Sequence, residues 1–135
     1  MRYELGIPTT YLHGDFRALV ELAVLAEEAG WDALFLEDYI THWRAADAPT
    51  CDPWVLLSAI AQRTTRVLLG ILVTPLSRRR PWKVAREAVT LDHLSNGRFV
   101  LGVGLGDARE PGFTQVGEVM DPREPACSTR RWTFW

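Results

Sequence analysis

Cysteine is nearly absent: Cys51 and Cys127 are the two in 135 residues. Two thiols make no disulfide framework, so a packed core must hold the chain, and a reducing, cytoplasmic setting is the expectation. Excess charge is also lacking, with a formal net charge of −2. That balance supplies no sequence-independent attraction to nucleic acid or to an anionic membrane. No apolar run reaches membrane-spanning length, and the N-terminal MRYELGIPTTYLHG lacks the apolar stretch of a signal peptide. The three histidines, His13, His42 and His93, are far apart and share no metal-ligand spacing, so no metal site is expected. A Gly-Lys-Ser/Thr triplet occurs nowhere, and Ser58, Ser77 and Ser95 have no nucleophile-elbow context.

What remains is a chain with 47% hydrophobic and 24% charged residues, enough for one globular domain. RYELGI, stopped by Pro8, reads as a strand. Asp15 then precedes FRALVELAVLAEEAG, in which Phe16, Leu19, Val20, Ala23, Ala26 and Ala29 recur at helical spacing. Asp15 suits an N-cap and Gly30 the position beyond the C-cap. WDALFLEDY is a short apolar run ending in the carboxylates Glu37 and Asp38. Asp52 followed by Pro53 opens a second helix. RVLLGILVTP reads as a strand buried on both faces, as in a parallel sheet. A third helix follows, with Val84, Ala88, Leu91 and Leu94 on one face and Asn96-Gly97 at its end, and RFVLGVGLG is a fourth buried strand. Strict alternation of strand and helix with short links implies right-handed βα units on a parallel sheet. Beyond Arg109 the pattern breaks, and the closing STRRWTFW places three aromatics where no element is evident.

The stretch GRFVLGVGLGDAREPG invites a nucleotide-loop reading, but its spacing fails. From Gly102 the third glycine of G-x-G-x-x-G would fall at Asp107, and from Gly104 at Arg109. Glycines that admit close packing, or a flat ligand beside a strand end, are the alternative. Topology gathers the chemistry instead. Glu37-Asp38-Tyr39, Val73-Thr74-Pro75 and Gly104-Leu105-Gly106-Asp107 each end a strand, and ligands of α/β folds collect at that edge. Asp38 suits either acid–base chemistry or capping of the next loop. His42 lies in the loop on that same side, and His93 suits solvent or a partner contact better than catalysis. Arg78-Arg79-Arg80 suits a solvated loop better than a phosphate site.

LAVLAEEAGWDALFLEDY, DPWVLLSAIAQRTTRVLLGILVTPL and RRRPWKVAREAVTLDHLSNGRFVLGVGLG, with the weaker FTQVGEVMDPRE, resemble the N-terminal half of the bacterial luciferase-like monooxygenases. These are flavin- and deazaflavin-dependent oxidoreductases built on a TIM barrel. The resemblance runs from about Arg2 to Glu124. It implies an α/β fold that is a half barrel: three βα units plus a fourth parallel strand over residues 1–108. Residues 109–135 would form an irregular tail, out of family register after 124. An FMN or deazaflavin ring would lie over the strand ends, against Leu72, Val73, Thr74, Gly104, Leu105 and Gly106. A non-proline cis peptide is implied near Leu72-Val73. Asp107 stands where some deazaflavin members carry an acidic catalytic residue, and Asp38 is the second catalytic candidate. Where the family often has Asp-His, this chain has Asp38-Tyr39, which removes a histidine base.

A complete TIM barrel takes about 250 residues, so a truncated or frameshifted coding sequence is the expected origin of the tail. Three functions compete. One is a luciferase-like oxidoreductase acting on a small molecule of unknown identity. Another is a non-catalytic half barrel that self-associates through its open strand edges and binds no flavin tightly. The third, an unrelated nucleotide-binding domain, is weakened by the failed phosphate motifs.

Overall fold

In the computed structural model, residues 3–10, 14–41 and 47–106 are described. The elements are β1 (Glu4–Ile7), α1 (Phe16–Glu28), β2 (Ala33–Leu36), α2 (Pro53–Arg63), β3 (Leu68–Pro75), a short 3₁₀ turn (Leu76–Arg78), α3 (Pro81–Leu94) and β4 (Phe99–Gly104). The four strands form one sheet in the order β1-β2-β3-β4, every pair parallel. Each strand thus lies beside the next in sequence, as successive βα units of a closing barrel do. The expected tail at 109–135, and with it Cys127, lies outside the described residues.

Local chemistry sets the helix starts. The Asp15 carboxylate accepts from the Ala18 amide at 3.0 Å, and Asp52 accepts from the Trp54 and Val55 amides at 2.8 and 3.1 Å. Pro53 and Pro81 occupy first-turn positions, where a missing N–H costs nothing. Gly30, with φ +89°, follows the C-cap of α1.

The core lies between the sheet and the helices. Leu34 and Leu36 of β2, Leu69 and Ile71 of β3, Leu19 of α1, Leu57 and Ile60 of α2, and Leu91 of α3 are buried together. Each such side chain contributes roughly 1.5–3 kcal/mol relative to exposure. The inward stripe of α3 runs Val84, Ala88, Leu91 and then Ser95, not Leu94: Ser95 is fully buried while Leu94 is 41% exposed. Four residues on from Leu91 completes the helical repeat; three falls short of it.

The expectation that the strands are buried on both faces does not hold. Leu68, Leu72, Val100 and Val103 are exposed, because among the described residues the helices cover one side of the sheet. Strands β1 and β4 are its two edges there.

Candidate functional site

The strand ends meet at an irregularity in β3. Ile71 pairs with Leu101 and Thr74 with Val103, so three steps along β3 match two along β4. One extra residue is therefore accommodated in β3, the signature of a bulge. The Leu72–Val73 peptide within it is cis, where the family resemblance implied one. Leu72 and Val73 are both exposed, at 56% and 39%, instead of alternating in and out. They line a cavity of about 340 Å³ with Glu37, Asp38, Tyr39, Pro75, Leu105 and Gly106.

The glycines of β4 serve the bulge. A Cβ on Gly102 would land on the Ile71 carbonyl oxygen, and one on Gly104 would sit 2.6 Å from Val73 Cγ2. On the side where a Cβ would stand, the bareness of this strand is thus taken up by β3. Gly104 is not among the residues lining the cavity, whereas Leu105 and Gly106 are. Ser77 fixes the end of that strand by donating from Oγ to the Leu105 carbonyl at 2.7 Å. Thr74 is fully buried, outside the lining, and its Oγ1 has no hydrogen-bond partner among the described residues.

Asp38 is 7% exposed and engaged. Arg78 donates from Nη2 to Oδ1 at 3.0 Å and also to the Asp38 carbonyl oxygen. Arg79 donates from Nε to Oδ2 at 3.2 Å, and from Nη2 to Oδ1 at 3.1 Å and Oδ2 at 2.8 Å. The Arg79 guanidinium lies 5.5 Å from the Trp54 ring centroid, with Glu87 Oε2 3.8 Å from its Nη1. Charge-assisted bonds of this kind are the strong ones, and the aromatic face adds to them. The solvated-loop expectation for the arginine run therefore fails for Arg78 and Arg79, whose side chains are 5% and 17% exposed. Arg80 remains exposed, just ahead of α3.

The neighbouring carboxylate has the opposite fate. Glu37 lines the cavity, and its Oε2 is buried with no hydrogen-bond partner among the described residues. The oxygens Thr9 Oγ1 and Thr41 Oγ1, in the segments after β1 and β2, are likewise buried and unpartnered. Both carboxylates after β2 are evident in the sequence, which offers Asp38 as the candidate. The missed signal was the arginine pair after β3, the adjacent parallel strand, which had to claim one of them.

Asp107, His13 and His42 lie outside the described residues, and His93 is exposed on α3. Cys51 is half-buried; burial pushes its thiol up, the charge of Asp52 adds to that, and a backbone hydrogen bond opposes it. A thiol so raised is a poor nucleophile. Among the described residues no His, Cys, Asp and Glu side chains group to hold a metal ion, and no helix is long and apolar enough to cross a membrane.

A parallel βα series with its cavity at the C-terminal strand ends defines a class. The luciferase-like monooxygenase family model matches residues 3–130, and the chain belongs to that family. An F420-dependent glucose-6-phosphate dehydrogenase of Nakamurella multipartita is 44% identical over 93 residues, 67% of this chain and 27% of that protein. The chain thus spans little more than a quarter of the length of this curated relative. Among solved structures, monooxygenase RslO1 from Streptomyces bottropensis superposes with a TM-score of 0.75 at 28% identity, covering 89% of this chain and 37% of its own. An F420-dependent secondary alcohol dehydrogenase in complex with an F420-acetone adduct gives 0.74 at 26%, covering 91% and 37%. The shares matched agree with half of a TIM barrel.

Proposed function

We propose that this chain is the N-terminal part of a deazaflavin-dependent oxidoreductase acting on a small hydroxylated substrate. The observation that carries this reading is the cavity at the strand ends, with an apolar wall beside an unpartnered carboxylate oxygen. A flat ring with a polar edge needs that combination: Leu72, Val73 and Leu105 offer apolar surface, and Glu37 offers an acceptor. The residues present therefore fit the group. When bound, a deazaflavin supplies hydride transfer, and the protein supplies position and electrostatics. Here Leu72 and Val73 would bear on the ring from the β3 bulge, with Leu105 and Gly106 closing the β4 side. Tyr39 stands where a histidine base would otherwise be. The names of the 44% identical relative and of the alcohol dehydrogenase favour deazaflavin over FMN, and the former alone favours a sugar phosphate as substrate class. Scarce cysteine supports a cytoplasmic setting. Asp107, just past the described strand, is retained as a proposed acid.

A second reading is carried by the open sheet. Leu72, Val103 and Leu105 are 56%, 52% and 59% exposed, and β1 and β4 are edges among the described residues. Exposed apolar faces and unpaired edges recruit partners, so self-association without tight flavin binding is the alternative. Titration with F420 and with FMN, followed by fluorescence, separates the two. Saturable micromolar binding supports the oxidoreductase. No binding, with a light-scattering mass above that of the monomer, supports the associating half barrel.

A further inference from the structure

Adjacent carboxylates after β2 stand in opposite states, and that contrast assigns their roles. A carboxylate has about four lone-pair sites. Asp38 uses four: Oδ1 accepts from Arg78 Nη2 and Arg79 Nη2, and Oδ2 from Arg79 Nε and Arg79 Nη2. With its lone pairs committed and its charge offset by two guanidiniums, Asp38 has nothing left to offer a ligand. Its bonds tie the segment after β2 to the segment after β3 across about 40 residues of sequence.

Glu37 has the reverse balance. Its backbone is fixed, since its amide donates to the Ile7 carbonyl of β1 at 3.2 Å. Glu37 lines the cavity, and its Oε2 is withdrawn from water yet accepts from nothing among the described residues. Buried polar atoms left unsatisfied are rare in native proteins, because each forfeits its hydration without return. Arg78 and Arg79 satisfy the next residue along and leave this one open.

We infer that Glu37, not Asp38, is the carboxylate that meets a bound molecule, accepting at Oε2 a hydrogen bond from an N–H or O–H of that molecule. The ligand it fits is uncharged or cationic at that point, with a donor beside an apolar body that lies on Leu72, Val73 and Leu105. An anionic group is refused there, because it would face Oε2 with no cation from Arg78 or Arg79 between. This assignment rests on the cavity being the ligand site and names the side chain that reads the ligand's polar edge.

The test pairs Glu37→Leu with Asp38→Asn and takes two readouts on the purified chain: thermal melting without ligand, and fluorescence titration with F420. Glu37→Leu fills similar volume without the orphan oxygen. It is expected to raise the melting midpoint by about 4 °C or more and to weaken F420 binding at least tenfold. Asp38→Asn is expected to lower the midpoint, and where it still folds, to weaken F420 binding less than Glu37→Leu does. A Glu37→Leu variant that melts lower than wild type, or binds F420 as wild type does, overturns the assignment. If wild type binds no F420, the deazaflavin reading fails by itself. Melting then decides Glu37: a raised midpoint supports a carboxylate kept for another ligand, and a lowered one overturns it.

Discussion

The two ends of the sheet are built on opposite plans. At the N-terminal end the strong polar groups Glu27 and Arg98 have their partners. The Glu27 carboxylate, at the close of α1, accepts from the amides of Thr65, Arg66 and Val67, the last two at 2.7 Å. Buried Arg98 donates five bonds: to the carbonyls of Ser95, Val67, Ala61 and Thr64 and to Thr64 Oγ1. Together they clamp the ends of α1, α2 and α3 to the starts of β3 and β4. At the C-terminal end, Thr9, Glu37, Thr41 and Thr74 each keep a buried oxygen with no partner among the described residues. Barrel enzymes divide labour this way, with stability at the bottom and chemistry at the top. On the proposed reading, the difference teaches that incomplete satisfaction, more than burial or charge alone, marks the face kept for a ligand.

The contrast breaks first at Arg98. Arg98→Met should cost about 3–5 kcal/mol, since it removes a buried charge that satisfies acceptors on three segments; a urea midpoint checks this, and an unchanged midpoint contradicts the clamp. Asp38→Asn comes next, at about 2–4 kcal/mol by the same assay, because Arg78 and Arg79 lose their common anion within a buried site. Although it stands at the upper end, it should behave like the lower one.

Glu27 gives a pH signature. Burial alone would raise its pKa, but the amides of Val67, Thr65 and Arg66 and the charge of Arg98 outweigh it and hold it below the usual 4.5. A lowered folded value means the stabilisation is complete above the unfolded carboxylate range and is lost as pH falls through the folded value. Wild type should therefore lose stability on acidification below about pH 4.5 more steeply than Glu27→Gln does. Parallel slopes in acid titrations of the two proteins would contradict it. Smallest of all is the Glu21–Arg63 pair, 2.9 Å long with both side chains more than half exposed. Glu21→Ala should change stability by less than about 0.5 kcal/mol in the same urea assay.

Much of the architecture was legible in sequence because it is local. The caps Asp15 and Asp52, the prolines at the starts of α2 and α3, and the alternation of apolar runs each depend on a few neighbouring residues. The position of the cis peptide came from family resemblance. What escaped was decided by contacts distant in sequence. Nothing in Arg78-Arg79-Arg80 says that two of three will turn inward, because their anion lies 40 residues earlier. Nor does LFLED say which carboxylate will be consumed; that depends on β2 and β3 being neighbours. The glycines of β4 were legible as close-packing residues, but the occupant of their space, an extra residue in β3, was not. Exposure of one sheet face follows from where helices are present, which no strand's own composition records.

The central claim is that the unsatisfied upper end is a ligand site read by Glu37. Its most direct test is the melting midpoint of wild type and Glu37→Leu, each with and without saturating F420. Ligand that binds the folded state alone raises the midpoint by mass action. A rise in wild type that is lost or much reduced in Glu37→Leu is the predicted result, and an equal rise in both would contradict the claim; no rise in wild type would count against the deazaflavin reading instead.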